Sequence, residues 1–123
     1  RFVATPESSA HRAFKERILE AGEGETLLRL KDLTPVRLLD NPFSKQVAAA
    51  EEAGVGVEAL RSLLGRGRAK KGMFEGDLNE GELEIGQVSG QIKGIQPAAS
   101  IVEELVSAYQ ELTTGMKDPH FRW

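Results

Sequence analysis

Apolar residues recur at helical spacing near both ends of the chain and break into shorter runs between them. Ala10, Phe14, Ile18 and Ala21 fall four and three apart, which puts them on one face of a helix. Thr5, Pro6 and Glu7 offer a capping hydroxyl, a residue preset for a first turn and an acid at the positive end of the helix dipole. The helix is therefore expected to open there, with Ser9 as a rival cap, and to stop at "AGEG". "ETLLRL" and "TPVRLL" read as two short strands joined by the polar Lys31 and Asp32. Asn41 and Pro42 open a second helix carrying Phe43, Val47, Ala50 and Ala53, which Gly54 and Gly56 end. "VEALRSLLG" is a third, shorter helix, and "RAKKGMFEGD" a helical segment weakened by Gly72 and Gly76. After Pro97, Ala98, Ile101, Val102, Leu105, Ala108, Tyr109 and Leu112 draw an apolar stripe along a last helix. "RFVAT" reads as the end of a buried strand, so the chain is expected to start in mid-element.

The sum is a mainly α chain with a few short strands, too little strand–helix alternation to build a parallel sheet, and no internal repeat. Residues 1–112 are expected to be ordered and 113–123, "TTGMKDPHFRW", to be a polar tail. A length of 123 residues fits one domain with a core. A hydrophobic share of 40%, a charged share of 28% and a net charge of −3 describe an ordinary globular chain and exclude a strongly basic nucleic-acid binder. The absence of cysteine excludes disulfides, thiolate nucleophiles and Cys-ligated metals. No apolar run approaches the roughly 18 residues that span a bilayer, and no signal pattern opens the chain. A cytoplasmic setting without a membrane partner is expected.

Candidate chemistry is sparse. His11 and Lys15 are four apart, as a base and its neighbour on one helix face would be, yet no partner carboxylate is specified nearby and a half-exposed helix histidine is the simpler reading. His120 lies in the tail, and the two histidines give no metal spacing. Arg61, Arg66, Arg68, Lys70 and Lys71 form one basic cluster that suits a phosphate, a dinucleotide or an acidic carrier protein, or simply a solvated face. Their glycines do not have P-loop spacing. Glu75, Asp77, Glu80, Glu82 and Glu84 follow without the calcium-loop pattern, so an acidic surface or pairing with the basic cluster is expected. In "GELEIGQVSGQIKGI", Gly86, Gln87, Ser89 and Gly90 fit either a connecting loop or a turn whose amides approach a planar or anionic ligand.

"RFVATPESSAH", "FKERIL", "TPVRLLDN" and "GRAKKGMFEGDLNEGELEIGQVSGQI", in that order, resemble the C-terminal part of the flavin-dependent barrel enzymes that comprise nitronate monooxygenases and enoyl-acyl-carrier-protein reductases of type II. The likeness runs from Arg1 to about Leu112. It implies the C-terminal portion of a (β/α)8 TIM-barrel flavoprotein with FMN as cofactor and NADPH or NADH as co-substrate. Arg1 and Phe2 would flank the flavin phosphate, and Gly86, Gln87, Ser89 and Gly90 would match a Gly-Gln-x-Ala-Gly turn near the flavin. Glu7, Ser8 and His11 would fall where the next helix starts. Ile85 stands where the reductases often carry alanine, and Ser89 replaces a small apolar residue.

The resemblance also implies that the family's catalytic histidine lies upstream, so no catalytic or metal residue is assigned here and the chain alone is not expected to hold FMN. The implied activity is that of the reductase, from nicotinamide through FMN to an enoyl thioester, small or carrier-protein-linked. The alternatives are a nitronate monooxygenase and, in another class, a non-catalytic helical interaction module. Helices shaped to cover a barrel would expose apolar faces, so a homo-oligomer is expected.

Overall fold

The computed structural model describes residues 1–115. The chain is mainly helical with one β-hairpin: α1 Arg12–Glu20, β1 Thr26–Arg29, β2 Val36–Leu39, α2 Pro42–Glu52, α3 Val57–Leu64 and α4 Ala98–Gly115. Two 3-10 turns, Phe2–Ala4 and Gln87–Gln91, and a π-type turn, Lys70–Phe74, complete it. Among the described residues the strands form a single antiparallel pair, Thr26 opposite Leu39 and Arg29 opposite Val36.

The face read from α1 is the main core. Phe14 and Ile18 are wholly buried, with Ala10 and Ala21 beside them, and Leu39, Leu83 and Ile92 close over them from three other segments. The start of α1 is a correction. Thr5 Oγ1 accepts from Ser8 N at 3.2 Å and donates to Phe2 O at 2.9 Å, which ties the hydroxyl into a local turn instead of a helix end. The helix begins at Arg12, where His11 Nδ1 accepts from Ala13 N at 3.1 Å. "RFVAT" is likewise a 3-10 turn and not a strand end.

The Asn41–Pro42 signal is realised as a reciprocal cap: Asn41 Oδ1 accepts from Ser44 N at 2.8 Å and Ser44 Oγ from Asn41 N at 3.0 Å. The Asn41 amide also donates to Leu78 O and Gly81 O, both at 2.9 Å, so the cap clamps the loop at 77–81. Phe43 and Val47 on α2 meet Leu30 in a second, smaller core; Ala50 is half-buried and Ala53 exposed. "RAKKGMF" is helical as expected but widens to π spacing, Glu75 N donating to Lys70 O, and Gly72 lies against the backbone of Gly81 and Glu82.

The apolar stripe of α4 departs from the expected pattern of burial. Only Ile101 is buried; Val102, Leu105, Tyr109 and Leu112 are half or more exposed. The helix runs to Gly115, into the segment read as a tail, and His120 lies outside the described residues. Two carboxylates hold its start. Ala98 N donates to Glu7 at 3.1 Å, and Arg1 donates to Glu104 at 2.6 Å. Glu7 is held below the ordinary glutamate value by main-chain N–H groups, its own and then that of Ala98, and Glu104 by the Arg1 guanidinium. Their stabilisation is complete above the ordinary glutamate value and is lost as pH falls through the lowered ones. Acidifying from about pH 7 to about pH 3 should therefore loosen the start of α4 before the Phe14 core opens. Amide exchange at Ala98–Glu104 checks this; equal loss of protection in α1 at the same pH would sink it.

Candidate functional site

The glycine-rich stretch divides in two by what each glycine touches. A side chain at Gly90 would meet Gly22 O at 2.9 Å and Glu23 N at 3.3 Å, so this glycine lets the 3-10 turn sit on the backbone that follows α1. Gly86 and Gly94 would meet nothing within 4 Å, and neither has a positive φ, so the fold makes no demand for glycine at either. Ser89 N donates to Gly86 O and Ile92 N to Ser89 O, closing the turn. Ser89 is buried, its hydroxyl without a hydrogen-bond partner, whereas Gln87, Val88 and Gln91 face outward.

Gln87, Gly90 and Gln91 form one wall of a cleft of about 570 Å³, opposite Thr26 and Arg37 of the hairpin, with Lys93 and Glu23 at its edge. Arg37 is fixed across the strands, Nη1 donating to Thr26 O at 2.8 Å. Lys93 Nζ donates to Gly90 O at 2.9 Å. The cleft thus combines two cations and two side-chain amides with the single carboxylate of Glu23, and its cations and amides suit an anionic, planar ligand. Gln91 and Lys93 also line a smaller hollow of about 250 Å³ with Arg1.

The predicted site residues fall unevenly about these clefts. Gln87 and Gly90 line the larger one, Gly86 precedes Gln87 in the chain without lining it, and Ser89 points into the protein. Arg1 is engaged by Glu104 and, at 3.3 Å, by Gln96; Phe2 is half-exposed on the first 3-10 turn. His11 and Lys15 do not form a base pair of side chains: His11 caps α1 against Gly76, and Lys15 is buried with its ammonium on Ser8 O at 2.8 Å. The basic cluster is largely neutralised within the chain. Arg68 pairs with Glu80, Lys70 with Glu75 and Lys71 with Asp77, which bears out the expected pairing with the following acids, while Arg61 pairs with Glu58 before it. Arg37 and Lys93 were missed by sequence reading. The alternation of β2 was the only local signal for Arg37, and only the folded hairpin sets it opposite the turn; Lys93 had none.

The family model described as nitronate monooxygenase matches residues 1–108. The chain belongs to the nitronate monooxygenase family. Among solved structures, FabK from Thermotoga maritima matches with TM-score 0.84 and 30% identity over 95% of this chain and 37% of that one. A mutant of the same protein matches with TM-score 0.76 and 29% identity, over 95% of this chain and 34% of that one. The nitronate monooxygenase family chain described here therefore spans about a third of the length of these relatives. No described helix is long and apolar enough to cross a membrane.

Proposed function

We propose that the chain serves an FMN-dependent oxidoreductase of the nitronate monooxygenase and enoyl reductase kind, forming one wall of the flavin site beside a (β/α)8 barrel. Residues 1–112 would be its part of the barrel enzyme and 113–123 its tail. The observation that carries this reading is the cleft that brings Arg37, Lys93 and Gln87 together, with Gly86, for which the fold has no steric or conformational need, next to Gln87 in the chain. These residues fit the group. Arg37 and Lys93 would hold its anionic end, Gln87 would offer paired donor and acceptor, and Gly86 would admit the ring edge. When bound, the flavin supplies hydride and single-electron chemistry. The chain's own residues would position it.

We place the enoyl thioester reductase, fed by NADPH or NADH, ahead of nitronate oxidation because the two solved structures named above are both FabK. The pairing of Arg61, Arg68, Lys70 and Lys71 within the chain leaves that surface little free charge for an acidic carrier protein. A small-molecule thioester is the better substrate on this ground. A second reading, a helical interaction module, rests on the bare face of α4, where Leu105, Tyr109 and Leu112 would be covered by the barrel or by another subunit.

The complete protein that contains this chain, purified from the cells that make it, is expected to show flavin absorption bands and to release FMN on denaturation. Gly86→Val should lower the bound FMN at least tenfold while leaving the melting curve nearly unchanged, since a Cβ added there meets nothing within 4 Å. A colourless protein, or full flavin content in the variant, would overturn the assignment.

A further inference from the structure

A second cleft, apart from the flavin reading, lies on the other side of β2. Residues 82–85 run beside that strand: Leu39 N donates to Leu83 O at 3.0 Å, Ile85 N donates to Arg37 O at 3.2 Å, and Glu84 bridges Leu38. Strand alternation sends Leu83 and Ile85 into the main core and turns Glu82 and Glu84 the other way. They meet the hairpin turn and α3 around a cleft of about 410 Å³ whose apolar wall is Leu30, Leu33, Val36 and Leu64.

Glu82 is only 8% exposed, and its one open side is this cleft. Its acidic neighbours are each neutralised, Glu75 by Lys70, Asp77 by Lys71 and Glu80 by Arg68, whereas no hydrogen bond or ion pair reaches the carboxylate of Glu82 or Glu84 among the described residues. Arg68, the cation whose field reaches Glu82, spends its donors on Glu80 and on the carbonyls of Leu63, Leu64 and Glu80. Arg61 at the rim is held by Glu58 at 2.9 Å. Burial first, then the charge of Glu84, pushes the Glu82 carboxyl above its ordinary value, against the weaker opposing pull of Arg68. Other unpaired acids, such as Glu20, Glu23 and Glu52, lie exposed to water, whereas Glu82 is nearly buried, and a nearly buried carboxylate left unpaired is an unmet demand for a cation.

The wall selects which cation. A metal ion would want several hard ligands, and no group of three His, Cys, Asp or Glu side chains able to hold one occurs among the described residues. Two carboxylates over a floor of leucine and valine instead suit a charged head with a hydrocarbon body. We propose that this cleft is a binding site for a small organic cation, a primary ammonium group carried on a short aliphatic chain, with Glu82 as its counter-ion and Glu84 as a second acceptor.

The probe is n-butylammonium chloride, titrated onto the full chain and followed by amide chemical shifts. Saturable shifts centred on Glu82–Glu84 and the hairpin turn are expected, with millimolar affinity. Butyrate, which has the chain without the cation, and ammonium chloride, which has the cation without the chain, should not reproduce them. Glu82→Gln should weaken binding by roughly tenfold or more, and the less buried Glu84→Gln, which is not expected to disturb folding, by a smaller factor. The absence of saturable shifts, equal response to ammonium or butyrate, or undiminished binding in both variants would each overturn the site. The test is independent of flavin content.

Discussion

Gly81→Ala is expected to destabilise the chain by about 3 kcal/mol, the upper end for overpacking a closed site. The Cβ it adds would be driven onto Gly72 Cα and Asp77 O and would lie 2.5 Å from Gly72 N, and all of these are backbone atoms. A flexible side chain could swing aside, but backbone cannot move without displacing the π-type turn that carries Gly72 or the Asp77–Gly81 hydrogen bond that closes the loop. The same loop is held from the other side by Asn41, so relief in one direction breaks the α2 cap. Since a domain commonly holds only about 5–15 kcal/mol in all, the loss should show as a large shift of the urea midpoint. Gly86→Ala is the control. Its added methyl meets nothing, and its effect should stay within about 0.5 kcal/mol. Equal midpoints for the two variants would mean that Gly72 and Gly81 are not in contact.

That contrast shows what the sequence could and could not disclose. Both glycines stand in the same motif, and composition makes them equivalent; only the return of the chain past Gly72 separates a packing glycine from an open one. The faces of α1 and the opening of α2 were legible because their signals are local. Ala10, Phe14, Ile18 and Ala21 follow helical period, and Asn41, Pro42 and Ser44 carry the cap within four residues. The start of α1 was misread for the same reason. Thr5 satisfied every local rule for a cap, but its hydroxyl was taken by Ser8 and Phe2. For α4 the period gave the apolar face correctly and said nothing of what covers it. The ion pairs between the basic cluster and the acids were legible because the partners are near in sequence. The candidate flavin cleft was legible only in its turn, since Arg37 reaches it through the hairpin and Lys93 through the chain beyond. Glu82 and Glu84 were grouped with their neighbours by composition. Their placement opposite Leu83 and Ile85, which denies them those partners, follows from pairing with β2.

The hairpin and α2 share the smaller core, and its centre is Phe43, wholly buried between Leu30 and Val47. Phe43→Ala is expected to cost about 3–5 kcal/mol, the transfer of the ring plus the cavity it leaves. The cluster is small and its rim residues, Leu33, Val36, Leu63 and Leu64, are only partly buried, so water can enter once the ring is gone. The ring has a second role. The Arg68 guanidinium lies 4.4 Å from its centroid while donating to the carbonyls that end α3, so the ring steadies the group that joins α3 to the 80–82 segment. This stacking should contribute about 0.5–1 kcal/mol at a partly exposed site. Urea denaturation of Phe43→Ala, Phe43→Leu, Arg68→Met and the double variant Phe43→Leu with Arg68→Met separates the two. Leucine should recover much of the packing but none of the stacking, and the cycle should return a coupling of about the stacking size. A coupling near zero would show that Arg68 acts through its hydrogen bonds alone. A loss below about 2 kcal/mol for Phe43→Ala would show that the hairpin closes over the gap. In that case Leu30, which also walls the acidic cleft, would have moved, and the alkylammonium site should weaken in the same variant.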